Sequence, residues 1–342
     1  YLEKPIDLPN NFKWSDINLD NDKDLNNLYI FLSNNYVTDK NDKFRLEYSK
    51  DCIKWLLQPP GYISEWFCSI KNVNNKIVGF ISAIPINILI NSDKSKFIEI
   101  NFLCVDKNSR NNRFAPILIR EITRRINLKN YFHAIYTAVN VLPRPIITCK
   151  YWNYPLNIKK LNDIGMINLS KFKLPNIPII SGIRLIKEKD INAACILTNN
   201  YLRKFNISQH FTIENFKHTF MKNKNIVSTY IIENENSNEI TDMISYYSLP
   251  SIYIDNGEKK YLKSAYSFYN IPGKYSINEL ISDSLILAKN NNFDIFKTID
   301  IMNNKNFLEE LNFNETSTSL NYYIYNYTIQ NIDSSNLGLI LP

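Results

Sequence analysis

The stretch Asn101-Phe102-Leu103-Cys104-Val105-Asp106-Lys107-Asn108-Ser109-Arg110-Asn111-Asn112-Arg113-Phe114-Ala115-Pro116 decides the fold. Its first five residues close the apolar run Phe97–Val105, which reads as a strand. A polar turn with two arginines follows. Beyond it Leu118, Ile122 and Ile126 recur at helical spacing, so a helix is predicted from Pro116 to Leu128. Proline at the first helical position sacrifices no hydrogen bond. Unpaired N–H groups and the positive dipole end at a helix start make a ready anion site. Arg110 and Arg113 would add two guanidinium forks to it. The plainer reading is an ordinary strand–loop–helix connection with solvated arginines.

Working outward, helical spacing marks Leu25–Asn35 and Lys50–Leu57, the second stopped by Pro59-Pro60. Trp66–Ile70 and Lys76–Pro85 read as a hairpin around the polar turn Asn72–Asn75, and His133–Val141 as the strand after the long helix. The second half repeats that order: a hairpin of Val227–Glu233 and Glu239–Pro250, a strand Tyr261–Ile271, a helix Ser276–Asn290 and a strand Phe293–Met302. VGFISAIP at 78–85 resembles TDMISYYSLP at 241–250, and FHAIYTA at 132–138 resembles FDIFKTI at 293–299, at nearly the same offset. Two copies of one α+β unit are therefore expected, residues 1–175 and 176–342, joined near Lys171–Gly182. Coincidence between two similar runs of elements is the alternative.

Composition narrows the chemistry. At about 150 residues per domain, 342 residues suit two domains. Only 7 are glycine, so widely spaced that neither GxGxxG nor GxxxxGK[ST] can be written, which excludes a Rossmann fingerprint and a Walker A loop. Any phosphate must be held without glycine. The net charge is 40 − 33 = +7, with basic pairs scattered rather than clustered, so nucleic acid is not expected as a partner. Five separated cysteines without a CxxC pattern read as reduced, buried thiols of a cytoplasmic protein. Three histidines, none in HExxH or a Cys/His cluster, argue against metal catalysis. No apolar run is long enough to span a membrane, and the N-terminus is too polar for a signal peptide.

The block 99–116, with EITRR at 121–125, AIYTAVNVLPRP at 134–145, FRLEY at 44–48, LPS at 249–251, AYSFYN at 265–270 and LGLILP at 337–342, is similar to the glycylpeptide N-myristoyltransferase family. The similarity runs in register from about Leu8 to Pro342. It implies an α+β, duplicated GNAT-like acyltransferase fold with a pseudo-twofold and a mixed central sheet flanked by helices. The N-terminal half would bind myristoyl-CoA, and the C-terminal half would supply most of a peptide groove. The implied reaction is attack of an N-terminal glycine amine on the thioester. No metal is implied.

Site residues follow from the resemblance. The backbone N–H groups of Phe102 and Leu103 would form the oxyanion hole, Asn101 and Thr137 would hold the glycine amine, and the terminal carboxylate on Pro342 would be the base. Phe102, Leu103, Cys104, Val105, Ser109, Arg110, Asn111, Asn112, Arg113, Phe114, Ala115 and Pro116 match the acyl-CoA site. Phe44, Leu46, Tyr48, Tyr151, Tyr247, Ser251 and Tyr266 match peptide-contact positions. Implied partners are glycine-terminal peptides and nascent proteins, met by a monomer without stable membrane insertion. The resemblance also places an acyl-CoA-contacting segment with a Phe-Trp pair ahead of Tyr1.

Several positions depart from the pattern. Asp106 and Asn108 stand where the family carries His and Lys. The acidic loop Thr38-Asp39-Lys40-Asn41-Asp42-Lys43 holds two lysines, which should weaken a preference for basic peptides. Asn153 replaces a histidine, Lys297 an asparagine, and Asn314–Thr318 a glycine-rich loop; the linker near Ser170–Pro175 is short. Two alternatives stand beside this reading: a GNAT-type acetyltransferase, and an inactive binder of glycine-terminal peptides.

Overall fold

The computed structural model describes residues 3–36, 44–165, 174–221, 223, 225–255, 258–330 and 332–342. The loop Thr38–Lys43 and the linker up to residue 173 lie outside them. The chain divides into two compact units, one of Tyr1–Ile86, Lys96–Tyr136 and Ile324–Thr328, the other of Asn87–Ser95, Thr137–Tyr323 and Ile329–Pro342.

The first unit is built from β1 (Phe12–Asp16), α1 (Asp22–Asn35), β2 (Phe44–Leu46), α2 (Lys50–Leu57), β3 (Phe67–Asn72), the larger parts of β4 (Ile77–Ile90) and β5 (Asp93–Val105), α3 (Phe114–Asn127) and the first residues of β6 (Ala134–Ala138). Helix α1 starts three residues before its first apolar position because the Asn21 side chain caps the N–H groups of Lys23 and Asp24. Helix α2 keeps its predicted bounds, with Ser49 capping Cys52. The sheet runs β1-β3-β4-β5-β6. Its β1–β3 and β3–β4 pairs are antiparallel, and β5–β6 is parallel across the α3 crossover. The stripe Leu118, Ile122 and Ile126 packs with Ile81, Ile98 and Trp66. α3 lies close against β4 at Gly79, where a Cβ would meet Leu118 Cδ1 at 3.0 Å.

The EITRR segment proves to be an anchor of this helix. Glu121 is fully buried, accepts from both Arg124 and Arg125, and takes the Ile6 backbone N–H at 3.0 Å. Arg125 continues to Asp16 at 2.6 Å. Burial works against the Glu121 charge, but the two guanidiniums prevail and hold its carboxyl below the usual range.

The second unit contains β7 (Ile147–Pro155), α4 (Ile158–Asp163), β8 (Ile183–Leu185), α5 (Ile191–Leu202), β9 (Ile207–Gln209), α6 (Ile213–Met221), β10 (Val227–Glu233) and β11 (Ile240–Ser248). It continues through β12 (Ser251–Asp255), β13 (Glu258–Leu262), β14 (Ser264–Ser267), α7 (Ile277–Asn290), β15 (Ile295–Ile299), α8 (Lys305–Leu308), β16 (Asn314–Tyr325) and β17 (Leu337–Gly338). The sheet order is β16-β7-β15-β14-β11-β10-β8. Antiparallel β10–β11, then β14 parallel to β15 across α7, repeats the internal order of β3, β4, β5, α3 and β6. The expected strand 261–271 is instead two strands, β13 and β14, broken at Lys263, whose N–H turns to Asp294 Oδ2 at 2.9 Å. Helix α7 begins in a capping box of Ser276 and Glu279. The segment 314–318 belongs to β16, with its register shifted between Glu315 and Ser319.

Candidate functional site

Strand β5 ends in a conformation that residues with side chains avoid. Phe102 has φ +55°, a left-handed backbone that costs a non-glycine residue roughly 1–3 kcal/mol. Packing holds it there. Its buried ring lies 5.0 Å from the Tyr48 ring and 5.3 Å from the Tyr36 ring, centroid to centroid. Burial pushes the Tyr36 phenol above its ordinary range, while a hydrogen bond from the Phe102 backbone pulls the other way. That backbone hydrogen bond goes to the Tyr36 hydroxyl itself. Leu103 follows, exposed, and Cys104 is buried again.

Just before the kink, Asn101 Nδ2 donates to Glu99 Oε1 at 2.8 Å, and Ser82 Oγ donates to the Asn101 carbonyl at 2.9 Å. Glu99 is 5% exposed. Burial raises its carboxyl to about 7 against the opposing Asn101 bond. Sequence reasoning passed over Glu99 and Tyr36. The signal for Glu99 was one charge in the apolar run FIEINFLCV, since an unpaired glutamate is seldom fully buried. Tyr36 has no such signal, because its contact with Phe102 joins residues far apart in the chain.

The anion turn is more ordered than a loop. Residues Lys107–Asn112 form a 3-10 turn, entered through Asp106, which accepts from Asn108 N and Ser109 Oγ. Arg113 then takes a left-handed backbone with φ +54° and starts α3 at Phe114. The helix therefore begins two residues earlier than Pro116. Phe114 puts its ring in the core and offers a ligand only its backbone. Arg110, Asn111, Asn112 and Arg113 are exposed, which suits a phosphate better than a buried acyl chain.

In the second unit the C-terminal residues are held inside the fold. β17 pairs in parallel with β9, Leu337 opposite Ile207 and Gly338 opposite Ser208. Tyr322 Oη donates to the Leu339 carbonyl at 3.0 Å, and the Ile340 N–H donates to Tyr269 Oη at 3.0 Å. Tyr269 in turn donates to Gln209 Oε1 at 2.8 Å. Leu339, Ile340 and Leu341 are buried, and Pro342 is half-buried. Thr137, at the end of β6, is also half-buried.

Two of the four peptide-contact positions of this unit, Tyr247 and Tyr266, fall on one register line across its sheet. Tyr247 registers with Tyr266, Tyr266 with Lys297, Lys297 with Asn153, and Asn153 with Asn314. Residues opposite each other in a ladder share a face. The Tyr247 and Tyr266 rings stack at 5.2 Å with a 16° interplanar angle. Tyr151 sits two residues along β7 from Asn153, on the same face. Ser251 is fully buried, and its Oγ has no hydrogen-bond partner among the described residues. Phe44, Leu46 and Tyr48 belong to the first unit, where Tyr48 packs on Phe102. All five cysteines are buried and unbridged. Among the described residues no group of three or more His, Cys, Asp or Glu could hold a metal, and no helix is long and apolar enough to cross a membrane.

Residues 2–149 match the family model "Myristoyl-CoA:protein N-myristoyltransferase, N-terminal domain", and residues 160–338 match its C-terminal domain. The chain is 42% identical over 350 residues to glycylpeptide N-tetradecanoyltransferase 2 of Bos taurus, covering 99% of this chain and 70% of that one. It is 38% identical over 351 residues to glycylpeptide N-tetradecanoyltransferase 1 of Arabidopsis thaliana, covering 99% and 81%. The crystal structure of Saccharomyces cerevisiae N-myristoyltransferase with bound myristoyl-CoA superposes with a TM-score of 0.93 at 33% identity, covering 99% of this chain and 91% of that one. A GCN5-related N-acetyltransferase from Anabaena variabilis superposes at 0.52 with 10% identity, covering 92% and 72%, a likeness of fold alone. The architecture is α+β and GNAT-like.

Proposed function

The chain belongs to the myristoyl-CoA:protein N-myristoyltransferase family, and we propose from that premise that it transfers myristate from myristoyl-CoA to the N-terminal glycine amine of peptides and proteins. The glycine arrives as an ammonium and must lose a proton. The Pro342 terminal carboxylate is the acceptor in this reading. A carboxylate near 3.5 facing an amine near 8 is a weak base in water, so the apolar setting of residues 339–341 is what narrows the gap. The neutral amine then attacks the thioester carbonyl, with Asn101 and Thr137 orienting it. The carbonyl oxygen becomes an oxyanion received by the N–H groups of Leu103 and of Phe102, the latter exchanging its Tyr36 acceptor for the oxyanion. Collapse forms the amide, breaks the C–S bond and releases the CoA thiolate; the second amine proton is lost to solvent.

The observation that carries this reading is the left-handed kink at Phe102, clamped by Tyr36 and Tyr48 inside the segment matched by the N-terminal family model. A strained backbone held by packing is a pre-organised donor, and one oxyanion donor is worth roughly 3–4 kcal/mol. The turn Ser109–Arg113 would hold the CoA phosphates, with the backbone of Phe114 and Ala115 at the helix start. Tyr151, Tyr247, Ser251 and Tyr266 would meet the peptide, and the unpartnered Ser251 hydroxyl supports a hydrogen bond to it. The enzyme would act as a monomer in the cytoplasm.

The test is the mass of the product. A glycine-initiated peptide is incubated with myristoyl-CoA and, separately, acetyl-CoA. A myristoyl increment is expected. An acetyl increment alone would make the chain a GNAT-type acetyltransferase, and an unchanged peptide would make it a binder.

A further inference from the structure

Strand β5 carries a buried acid beside the residue that would meet the substrate amine. Glu99 and Asn101 stand two apart in an extended strand, so their side chains share a face. Glu99 is nearly without solvent, and its Oε1 accepts from Asn101 Nδ2 at 2.8 Å. Asn101 is half-buried and is gripped a second time through its main chain, where the buried Ser82 of β4 donates to its carbonyl at 2.9 Å. The next residue, Phe102, is the left-handed kink. A side-chain amide has one donor end and one acceptor end. With Nδ2 committed to Glu99, the acceptor Oδ1 is the end directed away from the acid. Turned over, the amide would face the Glu99 oxygen with another acceptor, and would offer N–H donors to an ammonium that itself only donates. Burying a carboxyl in an apolar strand costs free energy. Burial raises the Glu99 carboxyl to about 7, and the Asn101 bond opposes that rise.

Resting on the function proposed above, we infer that Glu99 is a positioning residue for the acyl transfer: by holding Asn101 Nδ2 it presents Asn101 Oδ1 to the amine of the substrate glycine. Glu99 itself does not touch the substrate. Asn101 and Phe102 are consecutive, so the side chain that receives the amine and a backbone N–H that receives the oxyanion stand on neighbouring residues. Holding Asn101 at both its amide and its carbonyl fixes the direction from which the nitrogen approaches the thioester carbon. Attack needs the reacting atoms in near contact and aligned, and a misplacement of about 1 Å costs on the order of 100-fold in rate. Glu99 thus orients the nucleophile as the Tyr36 and Tyr48 rings hold the kink. An apolar side chain at 99 would fill the same space and leave the amide free to turn over.

The test uses the full chain with saturating myristoyl-CoA and a glycine-initiated peptide, and reads kcat/KM for the peptide beside the Kd of myristoyl-CoA and the melting temperature. Glu99→Met keeps an unbranched stem of similar length without an acceptor oxygen. It should lower kcat/KM about 10-fold or more and leave the Kd of myristoyl-CoA unchanged. Glu99→Gln restores an acceptor and should bring kcat/KM back to within about 3-fold of wild type. Asn101→Leu should lose at least as much as Glu99→Met. Adding Glu99→Met to Asn101→Leu should then cost about 2-fold or less, because no amide remains to be oriented. Glu99→Leu takes the place of Glu99→Met if the methionine variant melts early. Wild-type kcat/KM in Glu99→Met, a Glu99→Gln as slow as Glu99→Met, or losses that multiply in the double variant each overturn the inference alone. Absence of acylation by the wild-type chain overturns the proposed activity and the inference with it.

Discussion

Glu99 is the residue whose chemistry the fold alters most legibly. It lies on β5 two residues before Asn101, nearly without solvent, and burial raises its carboxyl from the ordinary 4.5 to about 7. In the unfolded chain it ionises at its ordinary value, so between roughly pH 4.5 and 7 unfolding gains a proton release that the native state forgoes. Its penalty is absent below the unfolded pKa, grows as pH rises, and is complete above the folded pKa. At about 1.4 kcal/mol per unit it reaches on the order of 3 kcal/mol. Glu99→Gln keeps an acceptor for Asn101 and removes the penalty. Urea unfolding should therefore show the variant more stable than wild type at pH 8 and about equal at pH 4; a gain that does not depend on pH would contradict this assignment. The residue was visible in the sequence as a charge in an apolar strand, but its protonation depends on Asn101 and on layers of the fold that only packing supplies.

At the scale of elements, β17 and the residues after it matter most. A four-residue apolar end, Leu339–Pro342, predicts burial, and the structure gives the means: parallel pairing with β9 and two tyrosine hydroxyls gripping Leu339 and Ile340. Gly338 permits the approach, since a Cβ there would stand 2.7 Å from the Phe205 ring. Tyr322→Phe removes the bond to the Leu339 carbonyl and leaves the ring in place. Its effect on stability should be about 1 kcal/mol, whereas kcat should fall roughly 10-fold or more if the Pro342 carboxylate must be placed to within a fraction of an ångström. Steady-state kinetics beside thermal melting separates the two. An unchanged kcat with a lowered Tm would make the hydroxyl structural only. Deleting Leu341-Pro342 is the stronger case, expected to abolish turnover while acyl-CoA binding survives. The same scale shows why some elements escaped sequence reading. Helix α5 (INAACILTNNYL) is apolar on nearly all sides, and β16 opens with polar Asn314–Thr318, so neither carries the clean period that marks α3.

Across the molecule, scarce glycine is offset by asparagine. Among the described residues, left-handed backbone occurs at Asn11, Asn75, Asn91, Asn130, Asn238, Asn292, Asn312 and Asn326. Asparagine tolerates this region better than other residues with side chains because its short amide can bond locally. Asn75, in the turn between β3 and β4, is representative: φ is +57° and its N–H bonds the Asn72 carbonyl. Asn75→Ala should destabilise by about 1 kcal/mol and Asn75→Gly by much less, measured as shifts in the urea midpoint. Equal effects would remove the conformational explanation.

The sequence alone determined a great deal. Period and turn residues gave the strand–turn–helix at 97–128, the doubled order of elements and the absence of glycine-based nucleotide loops, because these depend on neighbours a few residues apart. Family motifs pointed to Phe102, Leu103 and the arginine turn as site candidates. Tertiary structure alone decided that Phe102 is kinked and clamped by Tyr36 and Tyr48, that Glu121 is an anchor, that Glu99 holds its proton near neutrality, and that Lys297 stands between Tyr266 and Asn153. Each of these is a matter of register or burial between segments far apart in the chain. Hydrophobic pattern fixes which face a residue takes, but which partner it meets across a ladder is set by the packing of the whole unit.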